Sequence, residues 1–318
     1  MGRLKVASLT VSVCLGAGLV AERGARRRDA AIEVDGRKLK VNGRWVQVYE
    51  SGPWPSPDGV VVLLPGAGDT AVSWSLVRDA LSGSRRVLSY DRPGMGYSEL
   101  RPSADLAAVV EELDAVLSAA GIDTPVVLVA HSFGGLIARA YTAFHPERVA
   151  GLVLIDATPP AIADDPGVRA GFLISAVLAK ALKLLAPFGV TRALLALGAM
   201  PLYPEQRTFR RLATREAYRR WIAAVDASFA GNAGKELAAV LHAAAHFASL
   251  STAVPGVPVA LVHSRAYGKR WEQMQRDVAR DLQTVTTHAT GAARHNIHMT
   301  RPDLVAQAIK DVVATTHD

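Results

Sequence analysis

The chain has 318 residues, half of them hydrophobic, a single cysteine and a formal net charge of +7. Ten Lys and Arg against four Asp and Glu in residues 1–45 hold +6 of that charge, so the rest is nearly neutral, which excludes a basic nucleic-acid groove spread over a folded domain. The lone Cys14 excludes a disulfide framework and a Cys-based metal site, and the length suits one large α/β domain or two smaller ones.

The first candidate element is the uncharged run Val6 to Ala21, preceded by Arg3 and Lys5 and followed by Arg23 to Arg28. Sixteen helical residues span roughly 24 Å, short of the ~30 Å hydrocarbon core of a bilayer. The pattern predicts a signal peptide, with Gly16, Ala17 and Gly18 as small residues for cleavage, or a short anchor whose arginines sit at the headgroups. A buried core helix is the structural alternative. Either leading reading makes the protein exported or membrane-anchored, and the basic flank suits anionic lipid.

Gly43 to Glu50 reads as a strand, with Lys38 to Val41 as its hairpin partner across Asn42-Gly43. Val60 to Leu64, Arg86 to Tyr90, Val126 to Ala130 and Val149 to Ile155 are short buried strands. Helical stretches at Trp74 to Leu81, Asp105 to Ala120 and Gly134 to Phe144 alternate with them. From Pro160 to about Val254 only helix is expected: Phe172 to Leu185, Arg192 to Leu197, Tyr218 to Phe229 and Glu236 to Leu250. Alternation resumes with a strand at Val257 to Val262, a helix at Trp271 to Leu282, a strand at Thr284 to His288 and a helix at Asp303 to Ala314. This order predicts an α/β fold, a mostly parallel doubly wound sheet carrying a helical cap over a site at the strand ends. The expected boundaries are 1–30 for the apolar segment and basic linker, 31–158 for the first part of the core, 159–254 for the cap and 255–318 for the rest of the core.

The strongest local signal is Ala130-His131-Ser132-Phe133-Gly134-Gly135, between a buried strand and a helix. A serine on so sharp a turn needs small residues two before and two after it, which Ala130 and Gly134 supply. The turn places Ser132 at a helix N-terminus, where N–H groups and the dipole favour a developing oxyanion. The competing reading is a serine that only caps the helix. His131 is expected to be structural, because neighbouring side chains diverge at such a turn.

Together with Leu64-Pro65-Gly66-Ala67-Gly68 before Trp74, Asp91-Arg92-Pro93-Gly94-Met95-Gly96, and His295-Asn296-Ile297-His298 before Arg301-Pro302-Asp303, this segment resembles the α/β-hydrolase superfamily. The resemblance runs from about residue 36 to the end. It departs at Ala130, where Gly is commonest, and at Pro65, where His is usual. It implies the α/β-hydrolase fold, Ser132 as nucleophile and His295, first in the terminal loop, as base, with His298 as the fallback. His288 belongs to the preceding strand. Many members carry the acid just after the strand that follows the cap, but Val262-His263-Ser264-Arg265 holds none. Asp156, ending the strand after the nucleophile helix, is the expected acid; its alternative role is to cap the Thr158-Pro159 turn. Phe133 and Ala67 N–H groups are the expected oxyanion hole.

The resulting expectation is a serine esterase acting on a small, apolar molecule through Ser132, His295 and Asp156, with no cofactor or metal and with membrane contact through the N-terminal segment. Other enzyme readings on the same triad are an aminopeptidase, a lactonase, a carbon–carbon bond hydrolase or a perhydrolase. A non-catalytic scaffold is the reading from another class.

Overall fold

The computed structural model describes residues 16–29, 36–54, 56, 59–83, 85–100, 105–249, 256–282, 285–291 and 293–316. Residues 6–15 of the apolar run, the expected helix end at Leu250 and the expected strand start at Thr284 lie outside them, as do the boundaries at 30/31 and 254/255.

Eight strands form one sheet in the order β1-β2-β4-β3-β5-β6-β7-β8. They are β1 (Arg37–Val41), β2 (Arg44–Ser51), β3 (Val60–Leu64), β4 (Arg86–Tyr90), β5 (Val126–His131), β6 (Val149–Ile155), β7 (Val259–Ser264) and β8 (Val285–Thr290). The β1–β2 and β2–β4 pairs are antiparallel, and every other pair is parallel. The pleat explains the unbroken apolar strands. In β3, Val60, Val62 and Leu64 join one core cluster, while Val61 and Leu63 join the cluster on the opposite face. Helices α3 (Leu106–Ala119), α4 (Phe133–Phe144) and α10 (Gly268–Asp281) contribute to the first cluster. Helices α2 (Ser75–Leu81) and α12 (Pro302–Thr315) contribute to the second. Because β3 to β8 run parallel, the loops that follow them all open at one edge of the sheet, and this edge gathers the predicted site residues.

Between β6 and β7 the described residues form helices and connecting turns but no strand: α5 (Pro166–Leu185), α6 (Val190–Leu197), α7 (Gln206–Leu212), α8 (Arg215–Ala230) and α9 (Ala233–Ser249), with short 3-10 turns. The cap has its own apolar centre around Leu182, Leu195, Phe209, Trp221 and Phe229. Its last helix, α9, also inserts Val240, Ala243, Ala244 and Phe247 into the main core. The cap is therefore rooted in the sheet domain. Helix α7 has no counterpart in the sequence pattern, because Gln206 to Leu212 buries only Gln206 and Phe209 and shows no apolar period.

A further difference lies at the N-terminus. Residues 16–29 are helical (α1), including the basic stretch expected as linker. Glu22 is buried and pairs with Arg26 at 2.8 Å and with Arg192 of α6 at 2.9 Å. Arg192 also reaches Asp226 of α8 at 3.2 Å and Asp29 at 2.7 Å. Burial alone would raise the pKa of Glu22; the Arg192 and Arg26 bonds outweigh it and hold it below the usual range. For Asp226 burial wins despite Arg192, and its pKa is pushed up to about 7. The partners that order this helix lie about 170 residues away in sequence.

Candidate active site

Ser132 follows β5 with φ +51° and ψ −119°, a conformation that a non-glycine residue adopts only where its surroundings enforce it. The enforcement is steric. A Cβ on Gly134 would sit 2.6 Å from the Leu64 carbonyl oxygen, and one on Gly135 would sit 2.4 Å from the Ala157 Cβ. The N-terminus of α4 is thus pressed onto the ends of β3 and β6. Ala130 is fully buried, so its methyl group is accommodated where glycine is commonest. The hydroxyl of Ser132 lies 3.4 Å from that of Thr158. Phe133 is the first residue of α4, in the turn whose N–H groups have no partner within the helix.

Asp156 directly follows β6 and also has positive φ, +41°. Its side chain is fully buried and accepts from three donors. Oδ1 takes the Ser264 backbone N–H at 3.1 Å and the Trp271 indole N–H at 2.8 Å. Oδ2 faces His295 Nδ1 at 2.6 Å. None of these donors belongs to the Thr158-Pro159 turn. Val262 to Gly268, at the end of β7, carries no acid; its Ser264 and Trp271 of α10 instead donate to and orient the acid that follows the neighbouring strand. An ionised carboxylate can only accept, so Nδ1 bears the ring proton and leaves Nε2 as the free base. Burial pulls the His295 pKa down, but the bond to Asp156 and its charge outweigh this and leave it above the ordinary histidine value.

Ser132, His295 and Ala67 line one cavity of about 420 Å³. Its cap side is Val168, Phe172, Leu202, Phe229 and Leu237, and Tyr267 and Trp271 stand beside His295. The polar groups there are mostly engaged by the protein. Trp271 is bound to Asp156, Arg270 to Asp165, Asn296 to Glu205, and the Tyr203 hydroxyl to the Gly68 carbonyl. What remains is an apolar chamber beside a serine and a histidine.

His131 also lines this cavity, whereas His298 and His288 have other partners. His298 is fully buried, stacks on Trp74 with centroids 4.4 Å apart, and bonds Ser73 Oγ at 3.2 Å. His288 lies in β8, 4.0 Å from Asp311. His131 bonds the His295 carbonyl at 3.0 Å, and burial, then His298 and His295, holds its pKa well below the usual value. Asp69, His131 and His298 bring one possible ligand atom each within 4.8 Å of one another. Their existing contacts, including Asp69 to His298 at 3.6 Å, tie the loop after β3 to the terminal loop.

The sequence did not reveal how the loop bearing Ala67 is held. Arg92 donates to the Pro65 and Gly66 carbonyls, each at 2.6 Å, and pairs with Glu236 of α9 at 2.6 Å. Glu236 also accepts from Gly68 N–H at 2.7 Å, and Tyr203 takes the Gly68 carbonyl at 2.8 Å. Both backbone polar groups of Gly68, whose φ is +77°, are therefore fixed by cap side chains. Asp91 accepts from Ala71 N–H at 2.8 Å and supports the same region; burial, only partly offset by its hydrogen bonds, raises its pKa to about 6.

Residues 61–308 match the family described as the alpha/beta hydrolase family. A 2-hydroxymuconate semialdehyde hydrolase from Pseudomonas sp. (strain CF600) is 36% identical over 126 residues, 38% of this chain and 42% of that protein. A pimeloyl-[acyl-carrier protein] methyl ester esterase from Chromobacterium violaceum is 34% identical over 119 residues, 37% of this chain and 45% of its own length. The chain spans less than half of these relatives, and 16% of a longer one, a probable transporter from Hormonema carpetanum that is 33% identical over 112 residues. Among solved structures, Cfl2 from Burkholderia cenocepacia superposes with a TM-score of 0.66 at 22% identity, covering 86% of this chain and 94% of that one, a likeness of fold. With most of its length matched by the family and with the fold in common, the chain belongs to the alpha/beta hydrolase family.

Proposed function

We propose that this hydrolase is a serine esterase that cleaves a carboxylic ester with an apolar acyl or alcohol group. Ser132 attacks the ester carbonyl, and His295 Nε2 takes the hydroxyl proton and returns it to the leaving alcohol. Asp156 holds the Nδ1 proton and offsets the charge of the imidazolium. The N–H groups of Phe133 and Ala67 bind the oxyanion, each donor contributing about 3–4 kcal/mol to the transition state. Water activated by His295 then hydrolyses the acyl-enzyme.

The observation that carries this reading is the 2.6 Å contact between Asp156 Oδ2 and His295, with the other oxygen of the acid held by two further donors. A scaffold that only bound a ligand would have no need of a buried carboxylate fixing one histidine tautomer beside a strained serine. The apolar lining supports a hydrocarbon-rich substrate. Turnover of p-nitrophenyl esters of graded chain length tests the reading, with Ser132→Ala as control. Hydrolysis that improves with acyl length until the chamber is filled and vanishes in the variant supports it; a folded protein inert on the whole series contradicts it.

A further inference from the structure

Helix α5 has two faces of different use. Ala176, Ala179 and Leu182 pack into the cap, and Val168, Phe172 and Ser175 line the catalytic chamber. The remaining face is neither packed nor polar. Leu173, Ile174, Val177 and Leu184 are 54% to 75% exposed, and Ile174, Val177, Ala181 and Leu184 follow helical spacing along one stripe. The best 18-residue window of Pro166–Phe188 has a mean hydropathy of 1.7, with only 22% of it buried. Twenty residues of helix make this face about 30 Å long. With Leu185, the exposed aliphatics present roughly 500 Å² of apolar surface, toward the upper end for one patch on a soluble monomer.

Two neighbours indicate what covers it. Helix α1 is fastened at the C-terminal end of α5: Gly18 lies against the Phe188 carbonyl, Arg26 reaches the Ala186 carbonyl at 3.5 Å, and Glu22 pairs with Arg192. That helix continues the uncharged run from Val6, and its own Val20 is exposed. The second neighbour is charge. Arg23, Arg27 and Arg28 of α1 and Lys180 and Lys183 of α5 are exposed, and no acid lies between Pro166 and Leu185. An apolar stripe flanked by cations is the arrangement that settles at an anionic bilayer surface.

We propose that the outer face of α5 docks on an anionic lipid bilayer and so holds the catalytic chamber, lined by the other side of the same helix, close to the lipid. The docking deepens the esterase reading, on which it rests for its substrate class: acyl esters held in the membrane rather than dissolved esters. Phe172 and Val168 of the same helix line the chamber together with Ser132.

The test uses the full chain carrying Cys14→Ser and one new cysteine, at Ile174→Cys, Leu184→Cys or, as control, Lys310→Cys on α12, each bearing an environment-sensitive fluorophore. With phosphatidylglycerol-containing vesicles, emission should shift to the blue at positions 174 and 184, stay unchanged at 310, and shift far less with pure phosphatidylcholine. Labels at 174 and 184 that remain water-exposed on added vesicles overturn the proposal. So do labels already shielded without lipid, which would mean that another chain segment, a second copy or a protein partner covers the face. Turnover of a soluble short-chain ester by the same proteins reads the esterase assignment separately. In Ile174→Asn/Val177→Asn/Leu184→Asn, hydrolysis of a vesicle-borne ester should fall about tenfold or more while the soluble ester is hydrolysed as before. Equal rates on both esters contradict the docking.

Discussion

Replacing Asp156 by Asn keeps the shape of the side chain but forces a choice on it. Two donors, Ser264 N–H and Trp271 Nε1–H, converge on Oδ1, and His295 Nδ1 faces Oδ2. The single amide oxygen will stay with the two fixed donors, so the NH2 group must point at His295. Reversing it would leave two buried donors without an acceptor, at about 1–3 kcal/mol each. Facing an NH2 donor, Nδ1 must become an acceptor, and the ring proton moves to Nε2, where it cannot receive the proton of Ser132. A bias of about 2–6 kcal/mol corresponds to roughly 30-fold to more than 10⁴-fold suppression of the productive tautomer. Loss of the charge that stabilises the imidazolium adds to it, and the expected fall in kcat is on the order of 10⁴-fold with little change in KM. The assay is steady-state hydrolysis of a short p-nitrophenyl ester as a function of pH, with circular dichroism to verify folding. In the wild type the rate should fall with decreasing pH through a value above 6.5, because the base must be neutral and His295 is raised above that reference. In the variant the limb of the residual rate should move to lower pH, since the raising contribution has gone. A folded Asp156→Asn that retains more than about a tenth of the wild-type kcat would refute the reasoning.

His295→Ala should abolish turnover nearly as fully as Ser132→Ala, whereas His298→Ala should cost about 2–4 kcal/mol of stability by emptying the space against Trp74; thermal melts and rates on the folded proteins separate the two, and a reversed pattern would move the base. Tyr203→Phe and Glu236→Ala should lower kcat more than they raise KM and weaken boronate inhibitors that mimic the oxyanion, because Gly68 loses one fixed partner in each; unchanged boronate affinity would show that the cap does not set the oxyanion loop. Glu236→Ala should also destabilise the protein by about 3–5 kcal/mol, since Arg92 stays buried without its counter-charge. Deleting residues 1–29 should lower the melting temperature of the cap, because Arg192 loses Glu22 and Asp29, while turnover of a soluble ester persists; an unchanged melting profile would show that α1 contributes nothing to the cap.

The parallel strands were legible because each is a short run dominated by β-branched and other apolar residues bounded by turn residues. The strand limits Val60–Leu64, Arg86–Tyr90 and Val149–Ile155 coincide with the periodicity reading. Ser132 was legible because its backbone geometry demands small neighbours, which leave a trace in sequence. Asp156 could be proposed because the family resemblance allows the acid at the end of the strand after the nucleophile helix, while Val262 to Arg265 holds none. Its donors Ser264 and Trp271 could not be seen, because they come from a strand and helix more than 100 residues later. The same holds for Tyr203, Glu236 and Arg92 around Gly68: a buried ion pair 144 residues apart in the chain leaves no local pattern. Helix α1 was read as linker beyond Ala21 because its order depends on partners in α6 and α8 rather than on its own period.

Covalent labelling tests the central claim, a serine nucleophile activated by His295, most directly. The intact protein is treated with a fluorophosphonate and the modified peptide is mapped by mass spectrometry. The account predicts one stoichiometric adduct on Ser132, absent in Ser132→Ala, and formed orders of magnitude more slowly in His295→Ala. A folded protein that takes no label, or carries it on a different residue while Ser132 stays unmodified, would contradict it.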